Sequence, residues 1–234
     1  MSTLVLLPGL DGTGDNFAPL LPHLRSPHVV VRYPVDRPLG YEELFHLVVA
    51  ALPADGAFVV VGESFSGALA LRVAALAPPG LVGVVLVATF HKSPVGGALS
   101  HAARFLHPRM FAMPMPAFLV RRLLAGPAAS HALVERMQQS LAQVRPEVVA
   151  RRVKAVLEVD ETESARAVRL PVTYFDATED ALVRRALAGE LAALIPQLRV
   201  VAFDSAHLIL QCQSEKAAAA IEAFVAEHAR SSAR

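Results

Sequence analysis

VVVGESFSGALAL, residues 59–71, changes character at its centre. Its first half is a β-branched run suited to a buried strand, and its second an Ala/Leu run suited to a helix. Ser64 stands between them, flanked by Gly62 and by Ser66-Gly67, at the turn from strand to helix. Outward from this point, further β-rich runs alternate with helical ones. Strands are expected at Thr3–Leu7, Val29–Tyr33, Phe58–Gly62, Val82–Ala88, Val172–Phe175 and Leu198–Phe203. Helices are expected at Tyr41–Leu52, Ser66–Ala77, Ala181–Leu194 and Ser214–His228. The strand runs are almost continuously apolar, the pattern of strands covered by helices on both faces. Strand–helix alternation then gives an α/β fold with a mostly parallel sheet and right-handed crossovers.

One segment breaks the rhythm. Residues 91–165 carry no strand signal, only helical periodicity interrupted by Pro and Gly. They read as an inserted helical cap, leaving 1–90 and 166–234 as the α/β core. The insertion holds Met110, Met113, Met115 and Met137, every methionine but the first. Methionine is flexible and suits either an adaptable apolar pocket or an irregular helical core. Met110, Met113, Met115 and Phe118 are taken as candidate pocket residues.

Composition narrows the function classes. The chain has 234 residues, 54% hydrophobic and 18% charged, so it can bury a sizeable core and is not a disordered polymer. A net charge of +1 leaves no strong footprint for nucleic acid. Cys212 is the only cysteine, which rules out a disulfide within the chain and fits a reducing compartment. No apolar run approaches the roughly 18–20 residues of a membrane span. The opening MSTLVLLPGLDG lacks the basic region of a signal peptide and reads as the first strand. A cytoplasmic location is therefore expected. With no H-E-x-x-H and no paired Cys/His spacing, neither a metal nor a cofactor is expected.

Gly62-Glu63-Ser64-Phe65-Ser66 approximates G-x-S-x-G, a motif with mechanical meaning after a strand and before a helix. The turn holds its serine in a strained conformation and needs small neighbours. Gly62 meets that need, whereas Ser66 stands where glycine is usual. On the motif alone, Ser64 fits a helix N-cap equally well. A nucleophilic serine needs a base, itself oriented by a third group. FDSAHLILQ places His207 in a loop after the last strand. VTYFDATEDALV offers Asp176, Glu179 and Asp180, of which Asp180 is the preferred acid, although it also suits an N-cap for a helix starting at Ala181. The order serine, acid, histidine differs from the chymotrypsin and subtilisin orders. Backbone donors for an oxyanion are assigned to Phe65 N–H, after the serine, and Leu10 N–H, in LLPGLDGTG. That loop has G-x-x-G-x-G spacing, not the dinucleotide fingerprint, and lacks a phosphate-loop lysine. Glu63 is read as structural.

With these pieces placed, the sequence resembles the α/β-hydrolase superfamily nearly end to end. LLPGLDGTG looks like its oxyanion loop, GESFSG its nucleophile elbow, PVTYFDATEDALV its acid loop and FDSAHLILQ its histidine loop. The resemblance implies Ser64, Asp180 and His207 as a triad, Leu10 and Phe65 as oxyanion donors, and a helical cap over the pocket. Departures are Ser66 at the elbow, Pro8-Gly9 where many relatives have His-Gly, and the absence of two strands that often precede the first. The expected function is a serine hydrolase acting on a small apolar ester or thioester. Between His91 and Arg145, Lys92, Arg104, Arg109, Arg121, Arg122, Arg136 and Arg145 face one acid, Glu135. They form either a solvated helix face or a guide for an anionic partner such as a carrier protein or CoA thioester. Acyl transfer to an alcohol, elimination or C–C cleavage on the same scaffold, and a ligand receptor with little turnover are the competing readings.

Overall fold

A computed structural model of the chain describes residues 2–95 and 107–229. Six strands form one sheet in the order β2-β1-β3-β4-β5-β6, with every pairing parallel. They are β1 (Thr3–Leu7), β2 (His28–Val30), β3 (Phe58–Glu63), β4 (Leu81–Val87), β5 (Val172–Ala177) and β6 (Leu198–Phe203). β3, β4 and β5 are buried at every position, as their continuous apolar runs require. β2 and β6 close the two edges, and both are partly exposed. β2 is shorter than expected because the chain leaves the ladder early, and the Tyr33 N–H turns to the Gly12 carbonyl at 2.8 Å.

The period of two along the strands splits the core into two layers. Val5, Leu7, Phe58 and Val60 face one side, packed with Leu44 of α1 (Tyr41–Ala50), Leu69 of α2 (Gly67–Leu76) and Leu187 of α7 (Ala186–Leu194). Leu4, Leu6, Val59 and Val61 face the other, against Ile221 and Phe224 of α9 (Ser214–Ala229). The expected helix over Ala181–Leu194 begins only at Ala186.

Between β4 and β5 lie α3 (Ala117–Val120), a π-turn at Arg121–Ala125, α4 (His131–Ala142), α5 (Pro146–Glu158) and α6 (Thr162–Ala167). The segment leaves and rejoins the sheet through a narrow neck. There Lys92 and Asp160 form an antiparallel bridge, Ser93 N–H donates to the Val159 carbonyl at 3.0 Å, and Glu161 N–H to the His91 carbonyl at 2.6 Å. The short helix α8 (Ile209–Cys212) follows the β6 loop and precedes α9.

Candidate active site

β3 ends at Glu63, and Ser64 opens the 3-10 turn that leads into α2. Ser64 has φ +49°, a left-handed conformation that costs a non-glycine residue about 1–3 kcal/mol and needs outside support. That support is local. The Thr89 hydroxyl donates to the Ser64 carbonyl. The Tyr41 hydroxyl donates to the Phe65 carbonyl at 2.9 Å, and the Tyr41 ring stacks on Phe65 at 4.6 Å. A Cβ on Gly62 would lie 2.9 Å from the Ser66 carbonyl oxygen, and one on Gly67 would run into Thr89. The demand for glycine thus falls on Gly62 and Gly67. Ser66 is fully buried and usefully polar, since its hydroxyl donates to the Pro8 carbonyl and meets the Tyr33 hydroxyl at 2.7 Å. The departure at the elbow ties it to the loop after β1.

The β6 loop brings His207 to the serine: its Nε2 lies 2.8 Å from Ser64 Oγ. Its Nδ1 lies 2.7 Å from Asp180 Oδ2. An ionised carboxylate can only accept, so Nδ1 carries the proton and Nε2 is free to accept from the serine hydroxyl. The His207 and Asp180 side chains are 4% and 3% exposed, so this pair is screened little by water. Asp180 Oδ1 also accepts from Leu182 N–H at 2.7 Å and Val183 N–H at 2.9 Å. One Asp180 oxygen thus closes a turn while the other faces His207. Asp176 instead pairs with Arg185 at 3.3 Å, and Glu179 is exposed.

A cavity of about 320 Å³ opens on Ser64 and His207, bordered by Leu10 and Phe65 and by Met115, Val120 and Met137 of the inserted segment. Three of the four candidate pocket residues are elsewhere. Met110, Met113 and Phe118 are 64%, 81% and 68% exposed and do not line the cavity. The segment from Pro108 to Val120 holds only two single turns of helix, too short for an apolar periodicity, so composition alone does not say which side chains face inward. Of the basic residues noted above, Arg109, Arg122, Arg136 and Arg145 are exposed, Lys92 pairs with Glu190 at 2.5 Å, and Arg121 donates to the Ala129 carbonyl. Arg104 lies outside the described residues.

Leu10 N–H donates to no protein group among the described residues. Phe65 N–H belongs to the first turn after the strand, where backbone donors have no intrahelical partner. The Leu10 loop is fastened by residues that gave no sequence signal. Asp11 accepts at its carboxylate from Thr13 N–H (2.9 Å), Ser140 Oγ (2.7 Å) and Asn16 Nδ2 (3.1 Å). Arg152 Nη1 donates to the Leu10 and Asp11 carbonyls at 2.9 and 2.7 Å. Glu63 also borders the cavity, and burial raises its carboxyl to about 7 against a smaller lowering by the hydrogen bond from Gln211 at 2.8 Å. No group of three or more His, Cys, Asp or Glu side chains able to hold a metal occurs among the described residues. No described helix is long and apolar enough to cross a membrane.

Residues 4–222 match the model of a family described as the alpha/beta hydrolase family. Among curated proteins, the chain is 27% identical over 253 residues to the polyketide synthase ThaQ of Burkholderia thailandensis, covering 97% of this chain. It spans only 12% of that relative's length. The enol-lactonase of Burkholderia xenovorans superposes with a TM-score of 0.78 at 17% identity, covering 96% of this chain and 91% of the other. A thermophilic esterase from Thermogutta terrifontis gives 0.77 at 20% identity, covering 97% and 91%. At these identities the structural likenesses show the fold.

Proposed function

The chain belongs to the alpha/beta hydrolase family, and from that premise we propose that it is a serine hydrolase cleaving a carboxylic ester or thioester. One observation carries the reading: the His207 imidazole bridges Ser64 Oγ at 2.8 Å and Asp180 Oδ2 at 2.7 Å. In this mechanism Ser64 Oγ attacks the carbonyl carbon while His207 Nε2 takes the hydroxyl proton. Asp180 holds the imidazole tautomer and stabilises the imidazolium. The carbonyl oxygen, now anionic, accepts from Phe65 N–H and Leu10 N–H. Collapse expels the alcohol or thiol, protonated by His207, and leaves an acyl-serine. Water, deprotonated by the same nitrogen, attacks that ester and restores Ser64.

In this reading the helices between β4 and β5 act as a cap, residues 91–165 on a core of 1–90 and 166–234. The apolar wall formed by Met115, Val120 and Met137 supports an apolar acyl group. A carrier- or CoA-linked thioester is the finer form of the proposal, supported by the exposed Arg109, Arg122, Arg136 and Arg145 and by the likeness to a polyketide synthase. A cytoplasmic location belongs to the same proposal.

Ser64→Ala tests it. The variant is expected to lose hydrolysis of p-nitrophenyl esters and labelling by a fluorophosphonate probe, with little change in its melting curve. Undiminished turnover in Ser64→Ala refutes the nucleophile assignment, and a wild-type protein that never labels points to a receptor. A panel of p-nitrophenyl esters and CoA thioesters of graded length then identifies the acyl group and leaving group.

A further inference from the structure

We propose that Arg152, on α5 in the inserted segment, is a positioning residue that aims the Leu10 N–H at the developing oxyanion. The proposal rests on the hydrolase reading above and concerns how its oxyanion site is built.

Arg152 is fully buried, yet it meets no carboxylate within ion-pair distance among the described residues. Its acceptors are three backbone carbonyls: Leu10 and Asp11 on Nη1, and Pro34 on Nη2 at 2.9 Å. Its Cζ lies 5.7 Å from the Tyr33 ring centre, and its Nε has no protein partner among the described residues. Burial disfavours the guanidinium charge more than the nearby Asp11 carboxylate supports it, and an apolar side chain of similar volume would pack there more cheaply. What an apolar side chain lacks is the planar fork, which reaches carbonyls on two separate loops from one rigid group.

Those carbonyls border the peptide that matters. The Leu10 N–H belongs to the Gly9–Leu10 peptide plane, whose other polar group is the Gly9 carbonyl. That carbonyl accepts from Gly12 N–H at 3.0 Å. In a planar trans peptide the N–H and C=O point in opposite directions, so holding the carbonyl fixes where the N–H points. Gly12 in turn is fitted to Arg152: at φ +71°, a Cβ there would fall 2.6 Å from Nη1 and 2.9 Å from Tyr33 Cβ. On the far side, the Pro8 carbonyl is held by Ser66 of the elbow. The guanidinium therefore fixes the C-terminal half of the loop and the elbow fixes the N-terminal half, with the Leu10 donor between them. Arg152 does not border the cavity, so it acts through the loop and not on substrate.

The test uses Arg152→Met and Arg152→Lys in the full chain, assayed below the melting temperature of each. For a p-nitrophenyl ester hydrolysed by the wild type, Arg152→Met is expected to lower kcat about 10- to 100-fold, less than outright loss of an oxyanion donor, with KM changed by less than about threefold. Arg152→Lys, which supplies the charge without the fork, should fall between. Affinity for a boronic acid, which forms a tetrahedral anion on the serine, should weaken in step with kcat. A purely structural role would lower the melting temperature and leave kcat and boronate affinity unchanged, which overturns the proposal. A loss confined to KM also overturns it. If Arg152→Met does not fold, Arg152→Lys with wild-type kcat still refutes the idea. A wild type inert toward every ester and fluorophosphonate defeats the hydrolase reading itself, whereas an active wild type with unaffected variants defeats this inference alone.

Discussion

Glu63 carries a carboxyl group that folding makes hard to ionise. It is 5% exposed at the end of β3, with Gln211 donating to it at 2.8 Å, and its carboxyl is raised from 4.5 to about 7 by burial, with Asp11 adding to the rise. A folded value above the unfolded one means that the native state binds the proton more tightly. Its contribution to stability is present in full below about 4.5 and is lost as the pH climbs through about 7. Glu63→Gln replaces the acid with a permanently neutral group of the same shape. Urea denaturation should find the variant and wild type alike near pH 4.5, and the variant more stable at pH 8 by on the order of 3 kcal/mol. Parallel stability curves across that range would show that the buried carboxyl pays no such penalty. The sequence marks this residue only by its place beside Ser64. Its titration depends on Gln211 and Asp11, which lie 148 and 52 positions away (211 − 63 and 63 − 11) and which no local pattern connects to it.

At the scale of elements, the loop after β5 shows why the residue type was legible while the helix begins later than expected. Asp180 has the composition of an N-cap, and its Oδ1 does collect the Leu182 and Val183 N–H groups. Those bonds close a turn, and the helix starts six residues after Asp180, at Ala186. The other oxygen is left for His207. Asp180→Asn separates the two roles. An amide oriented with its oxygen toward Leu182 and Val183 keeps the turn, so the melting temperature should move little. It then offers an NH₂ to His207 Nδ1, which favours the wrong tautomer, and kcat should fall by about 10³ or more, as for the same change in a serine protease triad. A variant with near-normal kcat would show that the Asp180–His207 pair is not used in turnover. The strands were legible because burial on both faces leaves an unbroken apolar run, seen at Val59–Val61 and Val84–Val87. The inserted turns were not, because single turns have no periodicity. Met115 and Met113 are two residues apart, yet one borders the cavity and the other is 81% exposed. The ties from Arg152 and Ser140 to the loop after β1 were invisible for another reason: they span 142 and 129 positions.

Across the whole molecule, the helices between β4 and β5 join the sheet through the neck at 91–93 and 159–161, and they hold the loop after β1 from α4 and α5. The neck contains a titrating group. His91 is 2% exposed, its Nδ1 has no protein partner among the described residues, and its carbonyl receives the Glu161 N–H. Burial holds its imidazole below the usual 6.5 and the neighbouring Lys92 pushes the same way, while Glu190, at 3.6 Å from Nε2, and Asp160 oppose them. The unfolded chain therefore takes up this proton before the folded one does. The stability that neutral His91 preserves is present in full above about 6.5 and declines as the pH falls below it. His91→Gln removes the titration and keeps a polar side chain of comparable size. Melting temperatures recorded from pH 8 to pH 5 should converge at the acid end: the wild type falls below about 6.5, and the variant falls less. Because α4 and α5 hang from this neck, ester hydrolysis by the wild type should lose thermal tolerance over the same interval. Equal slopes for the two proteins would show that His91 does not set the acid sensitivity in this interval; the carboxylates of Asp15, Asp160 and Glu222, held below their ordinary values, lose their stabilising contribution only at more acidic pH.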